Sequence, residues 1–372
     1  MFLLTNKKWY YLIMYRKTFL EINTDNLFYN TDLFVSKKGM KMMAVVKANA
    51  YGTIDYEIAR MLEERGTDFF AVSSLEEAIR LRSHGIKSNI LIMGYVKELD
   101  IVRENDLSII TPDKEYVDNN LDKLEGIKVH IKINTGLNRL GIFPEETKDV
   151  LDKLLKAKAN VEGIMTHFAC YADVDYTYRQ YYLFKDIVES LDYKFKYIHT
   201  AATDAALYLE DEISNYQRIG LGLFGYANIE HDWDLKPALS LKAEVVSCKQ
   251  VREGEGVSYH HHFISDGTGY ILTAEIGYAD GIDKGLEGKK VYVGDEECTI
   301  VGTICMDLIM IKACKPHKVG ELVEIIGEHF TVEDRKKELN TGCCKVITGI
   351  SERVTRVYTK EGKVISEINL NK

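Results

Sequence analysis

The sequence has no hydrophobic run long enough to cross a lipid bilayer. Its apolar stretch near the N-terminus, Trp9 to Tyr15, is far shorter than the ~20 residues that a transmembrane helix needs. The same region lacks the small-residue cleavage site of a secretory signal peptide. We therefore expect no membrane partner. Because "MYRKTFLEIN" would make a natural start at Met14, we expect residues 1–13 to be an upstream extension.

The sequence also lacks a dense basic block, and its formal net charge is -9. This balance argues against nucleic acid or an anionic membrane surface as the main partner, and it favours a small metabolite. The seven cysteines include no C-x-x-C pair and no spacing to histidine that is typical of zinc, so no metal site is predicted. An odd, scattered set indicates reduced thiols in a cytoplasmic protein.

Eight short β-rich runs alternate with helical patterns between residues 42 and 225. They read "MMAVVKA", "DFFAVSS", "NILIMG", "LSIIT", "KVHIKIN", "VEGIMTHF", "KYIHTAA" and "QRIGLGLF". The helical pattern after the first run stops at Gly66, and Ser74 with Glu77 has capping-box spacing before the next helix. Near-continuous apolar strands separated by amphipathic helices are typical of a parallel sheet covered by helices.

Polar and charged residues distinguish a closed barrel from an open sheet. They follow the C-terminal ends of different strands, and the set is Lys47, Arg139, His167, Thr203 and Arg218. In barrel enzymes the catalytic and binding residues lie around that whole face, whereas in an open sheet they lie at one crevice. We therefore predict an α/β fold with an N-terminal (β/α)8 TIM barrel over residues 14–240.

The pattern of apolar and polar residues changes after Pro237. Short alternating runs separated by glycine-containing turns predict a C-terminal all-β domain over residues 241–372. The strand-like "TFLEIN" at 18–23 is a candidate to pair with that domain. The run His260–His262 is predicted to lie in a strand, where adjacent side chains point to opposite faces, so we interpret it as no metal site.

Lys47 ends the first apolar run, "AVVKANAYG". Taken alone, a lysine at a strand end more often reaches water. The alternative is a Schiff-base lysine, whose partly desolvated amine condenses with an aldehyde cofactor. Tyr51 favours the alternative, because the loop after the strand could return its phenol toward a bound phosphate.

The stretch "RIGLGLFG" at 218–225 has the G-x-G-x-x-G spacing of a dinucleotide site. That fingerprint opens the first helix of a βαβ unit, whereas this stretch ends the eighth strand, so we reject the dinucleotide interpretation. Glycines still let bare backbone N–H groups approach a phosphate closely. A phosphate site after strands seven and eight is typical of barrel enzymes.

These motifs, with "HIKINTGLNRLGI", "EIGYADG" and "GTICMDLIMI", resemble those of the alanine racemase family over about residues 15–365. The resemblance implies a barrel followed by a β-domain, pyridoxal 5'-phosphate as cofactor, and a homodimer with shared active sites. It implies interconversion of L-alanine and D-alanine by two bases through a pyridoxal-phosphate imine, supplying D-alanine for peptidoglycan. The two bases that it implies are Lys47 and Tyr278.

The resemblance also implies the residues that bind cofactor and substrate. The cofactor set is Lys47, Tyr51, Arg139, His167, Thr203, Arg218, Gly220, Leu221 and Tyr358. The substrate set is Arg139 together with Met306 and Asp307, which line the partner's pocket. Arg218 would face the pyridine nitrogen and keep it unprotonated. Lys132 matches a lysine that is often carbamylated in the family, which would make it a partner for Arg139.

The departures from the family pattern include "AYGTI" in place of "AYGHG" and Ala202 where asparagine is usual, and of these Ala202 bears on the substrate. A methyl group in place of an amide could enlarge the site, so a racemase of serine or a larger amino acid is the first alternative. A decarboxylase of the same fold would need a cysteine-and-acid motif that "ICMD" and "IGYADG" do not match. A non-catalytic cofactor-binding module would leave Tyr278 and its domain unexplained.

Overall fold

The computed structural model describes residues 16–370, and the predicted extension 1–13 lies outside this range. The described chain divides into two compact units. The barrel unit comprises Phe28–Leu223 and Ala227–Leu235; the β unit comprises the described residues up to Leu27, then Phe224–Tyr226, and those from Lys236 onward. Within residues 16–370, no helix combines the length and the apolar character that a membrane span requires.

Strand β1 (Thr18–Asn23) belongs to the β unit, and the next eight strands form a closed barrel. These strands are β2 (Lys41–Val45), β3 (Phe69–Val72), β4 (Asn89–Ile92), β5 (Ser108–Ile110), β6 (Lys128–Lys132), β7 (Asn160–Met165), β8 (Tyr197–Ala202) and β9 (Tyr216–Ile219). All neighbours are parallel, and β2 closes the barrel against β9. The predicted eight-stranded barrel is confirmed, because all eight apolar runs form its strands.

Helices connect the barrel strands. In the barrel unit and the segment leading to it they are Thr24–Lys38, Asp55–Glu64, Leu75–Ser83, Leu99–Glu104, Lys114–Asn120, Thr147–Lys156, Val174–Ser190 and Thr203–Ala206. The helix Asp55–Glu64 places Ile58, Ala59, Met61 and Leu62 in the core, as an amphipathic pattern requires. Gly66 follows that helix with φ 95°, a left-handed conformation that glycine adopts readily.

Large apolar side chains fill the interior of the barrel. The cluster contains Met43, Val45, Phe69, Ala71, Leu91, Ile110, Met165, Tyr197 and Tyr216. The ring of Phe69 meets Tyr197 edge to face at 5.0 Å and Tyr216 at 5.9 Å between centroids. Because this layer is packed, a ligand is accommodated beyond the strand ends rather than inside the sheet.

The β unit contains a nine-stranded sheet in the order β13-β16-β15-β14-β17-β10-β1-β18-β19. Its strands after β1 are β10 (Leu239–Lys249), β13 (Tyr270–Ala274), β14 (Lys290–Val293), β15 (Glu296–Val301), β16 (Ile309–Ala313), β17 (Leu322–Ile326), β18 (Thr355–Lys360) and β19 (Lys363–Ile368). A separate pair joins β11 (Gly256–Val257) and β12 (Phe263–Ile264), and the helices are Val332–Glu338 and Cys343–Thr348. The predicted all-β class of this region is confirmed, with two short helices added.

One local prediction in the β unit is wrong. His260–His262 do not lie in a strand: Tyr259–His261 form a 3-10 turn, with φ 62° at His260 and 51° at His261. The rings of His260 and His262 stack with their centroids 5.5 Å apart. Alternating polarity is absent from three identical side chains, so the sequence carried no period that could distinguish a strand from a turn here.

Candidate active site

Lys47 follows β2 at the C-terminal mouth of the barrel and is half-buried. The next four residues, Ala48 to Tyr51, all adopt left-handed backbone conformations, with φ between 49° and 57°. For residues with a Cβ, this conformation costs about 1–2 kcal/mol each. The sequence did not predict this turn, and four consecutive such residues require tertiary contacts that hold them.

The Glu77 carboxylate supplies one of these contacts. It accepts the backbone N–H of Ala48 at 2.7 Å, and it accepts the N–H and hydroxyl of Ser73 at 2.7 and 2.8 Å. Ser74 caps its helix as predicted, by accepting the N–H of Glu77. The other half of the predicted capping box is absent, because the Glu77 side chain binds the turn after Lys47. A residue that the sequence presents as part of a helix cap therefore shapes the turn after Lys47.

A second cluster forms where β8 and β9 end. The Thr203 hydroxyl accepts the backbone N–H groups of Gly222 at 3.1 Å and of Gly220 at 3.4 Å. The phenol of Tyr51 lies over Gly220, so closely that a Cβ on Gly220 would stand 2.1 Å from the Tyr51 hydroxyl oxygen. Leu221 begins a 3-10 turn at the same place. Two backbone N–H groups and two hydroxyls in one glycine-lined cradle are suited to a phosphate.

Arg218 lies on β9 and is 2% exposed. Its guanidinium donates to the backbone carbonyls of Thr166, His199 and Thr200 at 2.7–2.9 Å. It also contacts Nδ1 of His199 at 2.9 Å and Nδ1 of His167 at 3.1 Å. Burial lowers the pKa of Arg218 to about 9, so it remains a cation at neutral pH.

Arginine has no acceptor, so both histidines must present a bare Nδ1 to Arg218 and carry their proton on Nε2. Burial, and then the nearby Arg218, lower the pKa of His167 and of His199 well below the usual value. His167, which the resemblance places in the cofactor set, therefore contacts Arg218 in this structure. His199 makes the equivalent contact with Arg218, and no motif in the sequence indicates it.

The hydrogen bonds continue from His199 into the barrel interior. His199 Nε2 lies 2.8 Å from Nδ1 of His130, and His130 Nε2 lies 3.4 Å from Glu162, whose carboxylate accepts the hydroxyl of Ser108 at 2.6 Å. The tautomer of His199 makes it the donor to His130 and leaves the His130 proton facing Glu162. The hydrogen-bonded pair of His199 and His130 therefore fixes the orientation of Arg218 from the barrel interior. Sequence reasoning missed His130 and Glu162, because both sit within apolar strands.

Lys132 ends β6 and is 5% exposed. Burial, followed by the charges of Arg139, Arg218 and Lys47, lowers its pKa to about 8. The same three cations and Lys132 act on His167. Four positive side chains from the ends of three strands, β2, β6 and β9, therefore lie at one mouth, and such a group favours the binding of anions.

The β unit holds the other predicted residues. Tyr278 begins the 3-10 turn Tyr278–Asp280 and is 42% exposed, while Met306 is 53% exposed. The backbone N–H of Tyr278 donates to the carbonyl of Cys305, and that of Ala279 donates to Met306, both at 3.0 Å. A Cβ on Gly277 would lie 2.3 Å from the Met306 carbonyl oxygen, so glycine allows the two segments to touch.

A buried carboxylate fixes the turn that carries Tyr278. Asp280 is fully buried; it accepts both terminal nitrogens of Arg16, at 2.5 and 2.6 Å, and the N–H of Gly277 at 2.9 Å. Arg353 donates to Asp307 at 2.7 Å. The exposed phenol of Tyr278 thus projects from a rigid base. Tyr358 lies elsewhere in the unit, fully buried in β18.

A closed barrel with a cationic mouth, followed by an antiparallel β unit with an exposed tyrosine, defines the barrel class of amino-acid racemases. Two family models match the chain: the alanine racemase N-terminal domain over residues 22–228 and the alanine racemase C-terminal domain over residues 238–358. The chain belongs to the alanine racemase family, which is a family of isomerases.

Individual relatives agree with this assignment. An alanine racemase of Staphylococcus epidermidis is 33% identical over 364 residues, 92% of this chain and 95% of that protein. The crystal structure of a Bacillus anthracis alanine racemase with bound L-Ala-P is 32% identical, with a TM-score of 0.89 over 96% of this chain and 98% of that one. A histidine racemase from Leuconostoc mesenteroides is 26% identical, with a TM-score of 0.87 over 93% and 99%.

Proposed function

We propose that this protein interconverts L-alanine and D-alanine with pyridoxal 5'-phosphate, as a homodimer in the cytoplasm, and supplies D-alanine for peptidoglycan. The observation that carries the proposal is the meeting of four cations, Lys47, Lys132, Arg139 and Arg218, around His167. A phosphorylated aldehyde and an amino-acid carboxylate are anions that such a mouth would bind.

The residues present fit the proposed cofactor. The cradle of Thr203, Gly220, Leu221 and the Tyr51 phenol would hold its phosphate, and Tyr358 is proposed as a further phosphate ligand by family resemblance. Arg139 would orient the substrate carboxylate through a bidentate pair. When bound, the cofactor supplies an electron sink that makes the Cα–H bond of the amino acid acidic.

Inversion at Cα requires a proton to leave one face and another to arrive at the opposite face. We propose that Nζ of Lys47 serves one face, because it ends β2 at the mouth. The phenol of the partner subunit's Tyr278 would serve the other, since this side chain is exposed in the single chain. Met306 and Asp307, on the neighbouring segment, would line the partner's pocket.

Arg218 would control which reaction follows removal of the proton. As a buried cation held by three carbonyls and two histidines, it would keep an adjacent ring nitrogen of the bound cofactor unprotonated and so weaken the electron sink. Lys47 and Tyr278 would then return a proton to Cα promptly. Racemisation is favoured over transamination for this reason.

The test is racemisation by the purified protein supplied with pyridoxal 5'-phosphate, starting from each enantiomer. Lys47→Ala should abolish activity in both directions, and Tyr278→Phe should nearly abolish it in both, because the two enantiomers have equal free energy and kcat/KM must therefore fall equally for each. Tyr259→Phe is the matched control, because Tyr259 is a 66% exposed tyrosine in the same unit. Wild-type rates in both directions for Tyr278→Phe would show that the two-base assignment is wrong.

A second candidate is a racemase of serine or a larger amino acid. The partly exposed Ala202 favours it, because it precedes Thr203 and replaces the amide that is usual in the family. The similarity of this fold to that of a histidine racemase supports this candidate. Assays with serine, lysine and histidine beside alanine decide between the candidates: a larger kcat/KM for any of these than for alanine would overturn alanine as the substrate.

A further inference from the structure

A cluster of potential metal ligands lies in the β unit, on residues to which the family resemblance assigns no role. Its members come from β15 and from the loop after β16. Glu296 and Cys298 are two positions apart on β15 and therefore face the same side of the sheet. The antiparallel pairing of Val301 with Met310 and of Thr299 with Lys312 brings the loop after β16 beside the start of β15.

His317 comes from this loop and completes the cluster. One ligand atom each of Glu296, Cys298 and His317 lie within 4.8 Å of one another. Cys298 is 1% exposed and His317 is 8% exposed. Glu296 also accepts the backbone N–H of Cys314, so its carboxylate is held in position at the edge of the cluster. The three groups are thus preorganised and largely shielded from water.

The two ring nitrogens of His317 have different partners. Nδ1 lies 2.7 Å from Oε2 of Glu321, and Nε2 lies 2.9 Å from Oε2 of Glu296. Histidines that bind metals commonly give their second nitrogen to a carboxylate, which fixes the tautomer and makes the ligating nitrogen more basic. Glu321 occupies that position here, and Nε2 is directed at the cluster.

We propose that Glu296, Cys298 and His317 form a Zn²⁺ site, with Glu321 orienting the histidine. Zn²⁺ is bound by thiolate, imidazole and carboxylate in tetrahedral geometry, and a set of three protein ligands leaves the fourth position for water. The spacing 296, 298 and 317 matches no zinc motif, which is why the sequence predicted no metal.

Binding must displace two protons. Burial opposes protonation of His317, but the hydrogen bonds to Glu321 and Glu296 outweigh it and raise the pKa of the imidazole. Burial, with Glu296 contributing, raises the pKa of the Cys298 thiol to about 12. Zn²⁺ therefore replaces the Nε2 proton of His317 and the Sγ proton of Cys298, and both protons go to solvent.

Co²⁺ provides a spectroscopic probe of this site, because thiolate ligation produces a charge-transfer absorption band. The full-length protein is treated with a chelator and a reductant and then titrated with Co²⁺. We expect a single ion to bind per chain with that band, and equimolar Zn²⁺ to displace it. Cys298→Ser should remove the band, and Glu321→Gln should weaken binding by about 10–100-fold.

Two matched variants serve as controls. Cys248→Ser changes another cysteine of the β unit, and His329→Gln changes another histidine that pairs with a carboxylate, Glu324, at 3.1 Å. Both should bind Co²⁺ as the wild type does. Glu321 is partly exposed, so Glu321→Gln keeps the proposal testable even if Cys298→Ser fails to fold. Absence of stoichiometric binding by the wild type, or persistence of the band in Cys298→Ser, would overturn the site and identify the cluster as an ion pair only.

Discussion

Gly220 lies directly against the phenol of Tyr51. A Cβ on Gly220 would stand 2.1 Å from the hydroxyl oxygen and 2.8 Å from the ring carbon that bears it. Neither atom can tolerate such an approach, so one of the two segments would have to move. The two residues follow different barrel strands, and their contact joins the turn after Lys47 to the proposed phosphate cradle.

We therefore expect Gly220→Ala to weaken the binding of pyridoxal 5'-phosphate at least tenfold, because the added methyl displaces Tyr51 from the cradle. Spectroscopic titration of the cofactor into the protein measures this affinity. Gly349→Ala is the control, because the nearest atom to its added Cβ is a carbonyl oxygen at 3.0 Å. Unchanged cofactor affinity in Gly220→Ala would show that this cradle does not hold the phosphate.

The turn after Lys47 depends on Glu77. In Glu77→Gln, an NH₂ group replaces one of the two carboxylate oxygens, and this group cannot accept a hydrogen bond. At least one of the three hydrogen bonds donated by Ala48 and Ser73 is therefore lost. Loss of one hydrogen bond to a charged group costs about 1.5–3 kcal/mol.

We expect Glu77→Gln to reduce kcat more than it raises KM, since Lys47 is then held less firmly. Steady-state kinetics measure the two parameters separately. Glu76→Gln is the matched control: the neighbouring Glu76 is exposed and does not contact the turn. Equal kinetics for both variants would exclude a positioning role for Glu77.

Lys132 should make stability depend on pH. Its pKa is about 8 in the folded chain and 10.5 ordinarily, so the unfolded chain binds more protons between these values. Stability should therefore rise with pH from about 8 to 10.5, and the total gain is on the order of 3 kcal/mol. Urea denaturation in bicarbonate-free buffer measures this rise, which should be smaller by that amount in Lys132→Met, because Arg218, whose pKa is about 9, keeps its own contribution.

Lys128→Met is the control for this series, because Lys128 lies at the other end of the same strand and pairs with Asp106. Bicarbonate adds a second test. A neutral Lys132 amine that takes up CO₂ becomes an anionic carbamate and releases a proton, and the new anion would attract Arg139. Bicarbonate should then stabilise the wild type and leave Lys132→Met unchanged; equal effects on both would contradict carbamylation.

Shared active sites predict complementation. Lys47→Ala and Tyr278→Phe are each expected to be nearly inactive alone. A mixed dimer would contain one site with both defects and one intact site. Random mixing should restore about a quarter of the wild-type activity, measured after co-expression or after dissociation and reassociation. If activity does not return although mixed dimers form, each site is built within one chain.

The sequence by itself determined the barrel, its chemistry-bearing face and the all-β region. Buried parallel strands need continuous apolar runs, and a charge that interrupts such a run marks the strand end, as at Lys47. The carboxyl ends of parallel strands share one face, so His167 and Thr203 could be placed together from local signals alone. These features depend on residues that are close in the sequence.

Only the tertiary structure decided how that face is held. The left-handed turn at Ala48 depends on Glu77, and the orientation of Arg218 depends on His199 and His130, which lie on other strands. Cys298 meets His317 because two antiparallel strands bring distant segments together. Contacts between distant segments produce no periodic pattern or fixed spacing in the sequence. They stabilise the protein only after the chain has folded and brought those segments together.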